Sequence, residues 1–206
     1  MKKSKVLALT LCAVLLVATT VLGTMAYLTS QASVTNTFTV GQVVITMDET
    51  DVDTNGVPVP GTGVPRVTEN TYHLIPGRTY TKDPTIHVDV ASEDCYLFVK
   101  VENGIAAYEA AATSGTIADQ IAANGWAALT GVDNVYYQNY TKNQADKDFE
   151  VFGEFKIDGN ANNVTGWNEI VTNNAKITVT GYAVQAEGFA DAATAWAATF
   201  GAPANP

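Results

Sequence analysis

The feature that most constrains the fold of this chain is a repeated alternation of apolar and polar residues. A period of two places every second side chain on one face of an extended strand, so the pattern is typical of strands with one buried face. Segments rich in glycine, proline and asparagine separate the alternating stretches. The apolar members are Phe38 and Val40; Val43, Ile45 and Met47; Ile86, Val88 and Val90; Cys95, Leu97, Val99 and Val101; Tyr136, Tyr137 and Tyr140; Phe149, Val151, Gly153, Phe155 and Ile157; and Ile177 and Val179 followed by Tyr182, Val184 and Ala186.

The alternation changes phase at two glycines. At Gly41 the apolar set moves by one residue, and at Gly181 the same shift separates Val179 from Tyr182. One extra residue in a strand, often near a glycine, produces a bulge that re-aims the chain. We therefore expect a bend or bulge at each glycine.

Two short helices interrupt the strand pattern. Residues 116–124 are alanine-rich and begin with Thr116 and Asp119 at the spacing of a capping box, and Gly125 follows. Residues 192–200 follow an aspartate and precede a glycine, and their Trp196 lies four residues before Phe200, on the same helix face. The sequence thus predicts a mostly β protein: a two-sheet jelly roll or β-sandwich with short helical inserts and a C-terminal helix.

Residues 1–26 have the layout of a secretory signal peptide. Lysines cluster at the start, an uncharged apolar run follows, and small residues precede a cleavage point expected between Ala26 and Tyr27. The alternative is an uncleaved anchor, since about 20 apolar residues can span a bilayer. The apolar character fades before Ala26 and no basic cluster follows, which favours cleavage. Cys12 lies inside the apolar run rather than at its end, which argues against a lipoprotein.

Cleavage would leave one domain, residues 27–206, of a length that supports a hydrophobic core. The whole chain has a formal net charge of −10, and cleavage removes lysines but no acidic residue. An acidic surface disfavours binding to nucleic acid and to anionic lipid headgroups. Cys95 is the one cysteine of that domain, so it has no intrachain disulfide partner, and its apolar strand context predicts a buried, inert thiol.

Three stretches resemble the TasA/camelysin family of secreted fibre proteins of Gram-positive bacteria. Residues 23–45 are similar to the end of the family's signal peptide and the strand that follows; their sequence is GTMAYLTSQASVTNTFTVGQVVI. LIPGRTYTKDPTIHV, residues 74–88, resembles a Pro-Gly turn followed by Lys-Asp and a strand. ITVTGYAVQAEGF, residues 177–189, resembles the last strand before the terminal helix. The alanine-rich insert of residues 105–128 has no counterpart in that pattern.

The resemblance implies a jelly-roll subunit that is processed by an ER-type signal peptidase and assembles into filaments of a biofilm matrix, secreted or at the cell surface. It also implies donor-strand complementation, in which the mature N-terminal segment completes a sheet of the next subunit. Residues 27–40 contain no charge and no proline, and their apolar side chains would make the contacts: Leu28, Val34, Phe38 and Val40. The partner would be a second copy of the chain, joined head to tail. Pairing of the same segment within its own subunit remains an equal alternative.

Motifs for catalysis are weak. Zinc proteases of the common type need His-Glu-x-x-His, whereas His73 and His87 lie fourteen residues apart. The segment DVDTNG, from Asp51 to Gly56, matches the start of a calcium loop, but Thr62 stands where the bidentate glutamate belongs, so an Asn-Gly turn is favoured. We therefore expect a non-enzymatic protein without metal or cofactor.

Two other functions remain as hypotheses. One is a monomeric cell-surface binding or adhesion module, in which Trp167 and the tyrosines of residues 136–140 supply stacking surfaces. The other is a camelysin-type metalloprotease, which would need both histidines and an acidic third ligand brought together by the fold.

Overall fold

The computed structural model describes residues 2–27, 40–61, 63, 65–170 and 175–201. The chain divides into two compact units, residues 1–40 and residues 41–206. Of the predicted donor-strand side chains, Leu28, Val34 and Phe38 lie outside the described residues. Val40 is almost fully exposed and belongs to no strand.

The first unit contains the helix α1, Lys2–Tyr27. The helix continues through the predicted cleavage point between Ala26 and Tyr27. Across the described ranges, we find no helix that combines the length and the apolar character required to cross a bilayer.

The described part of the second unit is mostly β, as predicted, with strands in three antiparallel sheets. Sheet I has the order β2-β1-β4-β9, sheet II the order β3-β10-β6 and sheet III the order β11-β5-β8-β7. The strands are β1 (Ile45–Thr50), β2 (Arg66–Val67), β3 (Thr79–Thr81), β4 (Thr85–Val88), β5 (Cys95–Asn103), β6 (Glu109–Ala110), β7 (Ala127–Ala128), β8 (Val135–Tyr140), β9 (Asp148–Glu150), β10 (Glu154–Ile157) and β11 (Ile177–Gln185). Single 3-10 turns lie at Ala106–Tyr108, Ala161–Asn163 and Trp167–Glu169.

The main hydrophobic core of the described residues lies among the three sheets. Ile86 of β4, Leu97 and Val99 of β5, and Phe155 of β10 are buried in the same cluster. The odd-numbered residues of β5 face this core, which confirms the period-two prediction for that strand. Burial of each isoleucine, leucine, valine or phenylalanine side chain of this core stabilises the fold by about 1.5–3 kcal/mol.

Both predicted helices are confirmed. The helix α2 (Ile117–Ala123) begins with a capping box between Thr116 and Asp119. The helix α3 (Ala192–Phe200) is capped by Asp191, whose side chain accepts a hydrogen bond from the Thr194 backbone. The ring of Trp196 lies 5.1 Å from that of Phe98, so α3 covers the face of β5 that points away from the main core.

The predicted bulge at Gly181 is wrong. β11 pairs with β5 without interruption, from Ile177 opposite Asn103 to Gln185 opposite Cys95. The apolar pattern shifts because the first half of β11 packs on the main core, whereas Tyr182 and Val184 pack in the second cluster under α3. A change of buried face within one strand thus produces the same sequence signal as a bulge.

The predicted single strand over residues 149–157 is also corrected. β9 ends at Glu150 and pairs in sheet I, whereas β10 begins at Glu154 and pairs in sheet II. Val151 and Phe152 between them are both fully buried. The chain crosses here from one sheet to another, and the shared core keeps the apolar period across the crossing.

Candidate functional site

The outer edge of β11 carries backbone groups that pair with no described strand. Lys176 O accepts a hydrogen bond from Gly104 N at 2.8 Å, and Ala186 N donates to Asp94 O at 2.8 Å. The backbone N–H and C=O groups of the even-numbered residues of β11 therefore point toward β5. In an antiparallel pair the intervening residues turn their backbone N–H and C=O groups to the other side. Ile177, Val179 and Gly181 therefore present these groups outward, where no described strand pairs with them.

β1 has a second open stretch of edge. Asp89 N donates to Val44 O at 2.9 Å, which places the even-numbered residues of β1 toward β4. Ile45 and Met47 therefore direct their backbone groups the other way. β2 covers that side only opposite Glu49 and Thr50, so within the described residues the edge at Ile45 and Met47 has no partner strand.

A groove of about 1130 Å³ lies between these two strands; we call it the edge groove. Residues 47–49 of β1 form one wall, residues 177–181 of β11 form the other, and residues 67–74 and 167–170 contribute loops. Phe155 and Ile105 of the buried core also line it. Small-molecule pockets commonly occupy about 300–1,000 Å³. The edge groove exceeds that range, and no described strand pairs with the two edges that border it, so it has room for a segment of polypeptide.

Gly181 allows β11 to approach β1 closely at one end of the edge groove. A Cβ atom at this position would lie 3.1 Å from Ile86 Cδ1 and 3.4 Å from Met47 Sδ. Glycine is therefore favoured at position 181 because a side chain would crowd Ile86 and Met47, and not because the strand bulges there.

A buried polar cluster forms part of the β1 wall. The Lys82 ammonium donates to Glu49 Oε2, and both side chains are buried. Asn70 Nδ2 donates to Glu49 Oε1 at 2.9 Å and to Thr50 O at 2.8 Å. Burial, together with the charges of Glu49 and Asp83, raises the pKa of the neighbouring Tyr72 phenol.

A second network of charges crosses the other face of sheet I. Asp83 accepts from Thr50 N at 2.6 Å and from the Arg66 guanidinium at 3.0 Å, and Arg66 also pairs with Asp48. The Lys-Asp pair of the LIPGRTYTKDP stretch therefore attaches the crossing between β3 and β4 to β1, through Lys82 on Glu49 and Asp83 on Thr50.

The structure does not bring the two histidines into a metal site. His87 on β4 lies between Asp148 and Asp48, with its Nδ1 and Nε2 at 2.7 and 2.9 Å from their carboxylate oxygens. His73 lies in the loop before β3, where its carbonyl accepts from the Tyr80 hydroxyl at 2.7 Å. Among the residues for which positions are described, there is no group of three or more His, Cys, Asp or Glu side chains suited to a metal ion.

The segment from Asp51 to Gly56 forms the predicted Asn-Gly turn. Asp53 Oδ1 accepts from Asn55 N at 2.8 Å and Val57 N at 3.0 Å. Gly56 adopts φ 76° and lies against Tyr80, where a Cβ atom would approach within 2.9 Å of the Tyr80 backbone. These contacts account for the aspartate and the glycine of the motif.

Other candidate side chains take structural positions. Cys95 is buried, and burial, with the nearby Asp94 charge, raises the pKa of its thiol to about 12, as expected for an inert cysteine. Tyr140 is buried and Tyr136 packs on the main core, whereas Tyr137 packs beside Phe98 on the opposite face. These tyrosines therefore do not form one stacking surface.

No protein-family model, curated protein or solved structure matches this chain. The likeness to the TasA/camelysin family therefore rests on the three sequence stretches alone. The features that bear on function are the edge groove and the chemistry of its walls.

Sequence reasoning did not find the cluster of Glu49, Asn70 and Lys82. One usable signal was present, because Glu49 continues the apolar positions of β1 at Ile45 and Met47 with a charge. A charge on the buried face of a strand requires a partner from elsewhere in the fold. The pattern did not identify Lys82, thirty-three residues later, as that partner.

Proposed function

We propose that this protein is a secreted structural subunit of an extracellular filament, and that its edge groove accepts residues 27–40 of a neighbouring copy. The observation that supports the proposal most is the edge groove itself, which combines apolar core residues with polar side chains and is bordered by the edges of β1 and β11 that no described strand pairs with. Unpaired edges of this kind readily pair with a strand from another chain.

The chemistry of residues 27–40 is complementary to the edge groove. The apolar residues Leu28, Val34, Phe38 and Val40 all have even numbers, so an extended strand would present them on one face. Threonines occupy positions 29, 35, 37 and 39 on the opposite face. A strand of this kind can place one face on the core residues of the edge groove while its backbone bonds to an edge.

Assembly would follow export and processing. While residues 1–26 remain attached, the donor segment is continuous with the apolar leader, and cleavage by an ER-type signal peptidase between Ala26 and Tyr27 would release it. Each copy then has one donor and one acceptor, so the contact is head to tail and extends into a filament unless it closes a ring. No catalytic step or cofactor enters this function.

Deletion of residues 27–39 from the mature protein tests the proposal. We expect a folded monomer, because the described strands of the three sheets and the described members of both core clusters belong to residues 43–196. Electron microscopy should show filaments for the mature protein and none for the deletion. Filaments of the deleted form would contradict the proposal, as would a persistent monomer of the intact mature protein.

A pair of point variants separates donor chemistry from the mere presence of a tail. Phe38→Asp places a charge on the apolar face of the segment, whereas Thr37→Asp places the same charge on the opposite face. We expect Phe38→Asp to abolish filaments and Thr37→Asp to retain them. Equal behaviour of the two variants would mean that no specific face of the segment is buried.

A further inference from the structure

Three side chains from separate segments meet at one buried carboxylate. Glu49 ends β1, Asn70 lies in the loop after β2, and Lys82 lies between β3 and β4. Lys82 Nζ donates to one oxygen of Glu49, and Asn70 Nδ2 donates to the other at 2.9 Å. Glu49 is only 5% exposed and Lys82 only 8%. An amine and a carboxamide are thus held against the same carboxylate, with the amine and the carboxylate buried and the carboxamide half-buried.

Stability alone gives little reason for this arrangement. A lysine and a glutamate that leave water together lose most of their hydration, and a buried ion pair is often no more stabilising than apolar residues of the same volume. Lysine is among the residues most rarely buried. The three groups, however, match the components of an acyl transfer: a nucleophile, an acyl group and a proton carrier.

We propose that Lys82 and Asn70 become joined by an intramolecular isopeptide bond in the folded protein, with Glu49 as the proton carrier. Lys82 Nζ attacks Asn70 Cγ, the new Cγ–Nζ bond forms, and the Cγ–Nδ2 bond breaks. Two protons leave Nζ and two arrive at Nδ2, so the side-chain nitrogen departs as ammonium. No oxidant, cofactor or second substrate is needed.

Each proton transfer follows a contact that is already present. Glu49 accepts a proton from Lys82 and exposes the lone pair of the amine. The opposite oxygen of Glu49 already accepts the Asn70 Nδ2 hydrogen bond, so the same carboxylate can carry the two protons, one after the other, from Nζ to the leaving nitrogen.

The acyl group is also polarised. Asn70 Oδ1 accepts a hydrogen bond from Val52 N at 3.0 Å. Negative charge develops on this oxygen when the amine attacks Cγ, and a backbone N–H fixed beside it stabilises that charge. Thr50 O accepts from Asn70 Nδ2 at 2.8 Å and holds the leaving nitrogen on the opposite side. The carboxamide is therefore oriented by three independent partners.

Tyr72 lies beside the site. Its hydroxyl donates to Thr81 O at 3.0 Å, next to Lys82, and its ring packs against Phe155 at 5.3 Å. All three reacting residues line the edge groove. The bond would join the loop after β2 covalently to the crossing between β3 and β4, and so fix one wall of the edge groove. This inference does not depend on filament formation.

Intact mass spectrometry of the purified folded protein, together with determination of its N-terminus, tests the bond. Loss of ammonia lowers the mass by about 17 Da relative to the sequence. Trypsin should then fail to cut after Lys82 and release a branched peptide that joins residues 67–78 to residues 79–100. An unmodified mass in folded protein, or a loss of about 17 Da located elsewhere in the peptide map, would overturn the proposal.

Three variants assign the roles. Lys82→Arg keeps the cation for Glu49 but removes the amine nucleophile, and Glu49→Gln keeps a hydrogen-bonding side chain but removes the proton carrier; both should show the full unmodified mass. Asn70→Asp replaces the leaving ammonia with water, so any bond that forms should cost about 18 Da instead of 17. Circular dichroism confirms that each variant is folded. A mass loss that persists in Lys82→Arg would exclude Lys82.

Discussion

His87 shows how a single side chain can link three strands. It projects from β4 on the face opposite the core, between Asp48 of β1 and Asp148 of β9, and Arg66 of β2 extends the network through Asp48. Burial alone would lower the pKa of His87, but hydrogen bonds and charge attraction from Asp148 and Asp48 outweigh it and raise the pKa. Protonated His87 donates to both carboxylates and stabilises sheet I.

This network predicts a pH-dependent stability. Because the pKa of His87 is raised by folding, the native state binds the proton more tightly. The stabilisation is fully present below the unfolded-state pKa of about 6.5 and is lost as the pH rises through the higher folded-state pKa. Urea unfolding at several pH values should show the free energy of unfolding decreasing over that window. In His87→Gln this decrease should disappear. The same dependence of the free energy of unfolding on pH in His87→Gln would contradict its assignment to His87.

At the level of the element, β11 serves two environments along its length. Its first half packs on the main core and borders the edge groove, and its second half packs under α3. Backbone hydrogen bonds to β5 alternate along β11. The N–H and C=O groups of even-numbered residues, such as Thr180, bond to β5, whereas those of odd-numbered residues, such as Val179, point away from it.

Proline substitution tests that alternation. Val179→Pro removes an N–H that faces the edge groove, whereas Thr180→Pro removes an N–H that bonds to β5. We expect Thr180→Pro to lower the free energy of unfolding by about 1–3 kcal/mol more than Val179→Pro, since it leaves a buried carbonyl unpaired. Urea denaturation of the two variants, each made without residues 27–39 so that both are monomeric, measures the difference. A larger loss of the free energy of unfolding in Val179→Pro would contradict the assignment of odd-numbered residues to the free edge.

Local signals predicted the elements better than their partners. The capping residues Thr116 and Asp191 located both short helices, because a cap acts within one turn of the chain. The strand pattern identified β4, β5 and β8, since alternation reports that one face is buried. It could not report which neighbour buries that face, and this is why the crossing at Val151 and Phe152 was read as a single strand.

For the whole molecule, the edge groove and the polar cluster on its wall arise only from tertiary pairing. β1 and β11 are far apart in the chain, and the sequence stretches that contain them show no sign that both have an unpaired edge. Similarly, Glu49 and Lys82 meet only because β3 and β4 belong to different sheets and the chain between them passes β1. Sequence reasoning could therefore propose a donor segment, but it could not locate the edge groove that we propose as its acceptor.

The most direct test of donor-strand exchange is a mixing experiment with two complementary variants. One is the mature protein without residues 27–39, which keeps the edge groove but has no donor; the other is Val179→Pro, which keeps the donor but has an impaired acceptor edge. We predict that neither forms filaments alone and that an equimolar mixture gives a discrete heterodimer by mass photometry. Monomers only in the mixture, or filaments from either variant alone, would contradict the account.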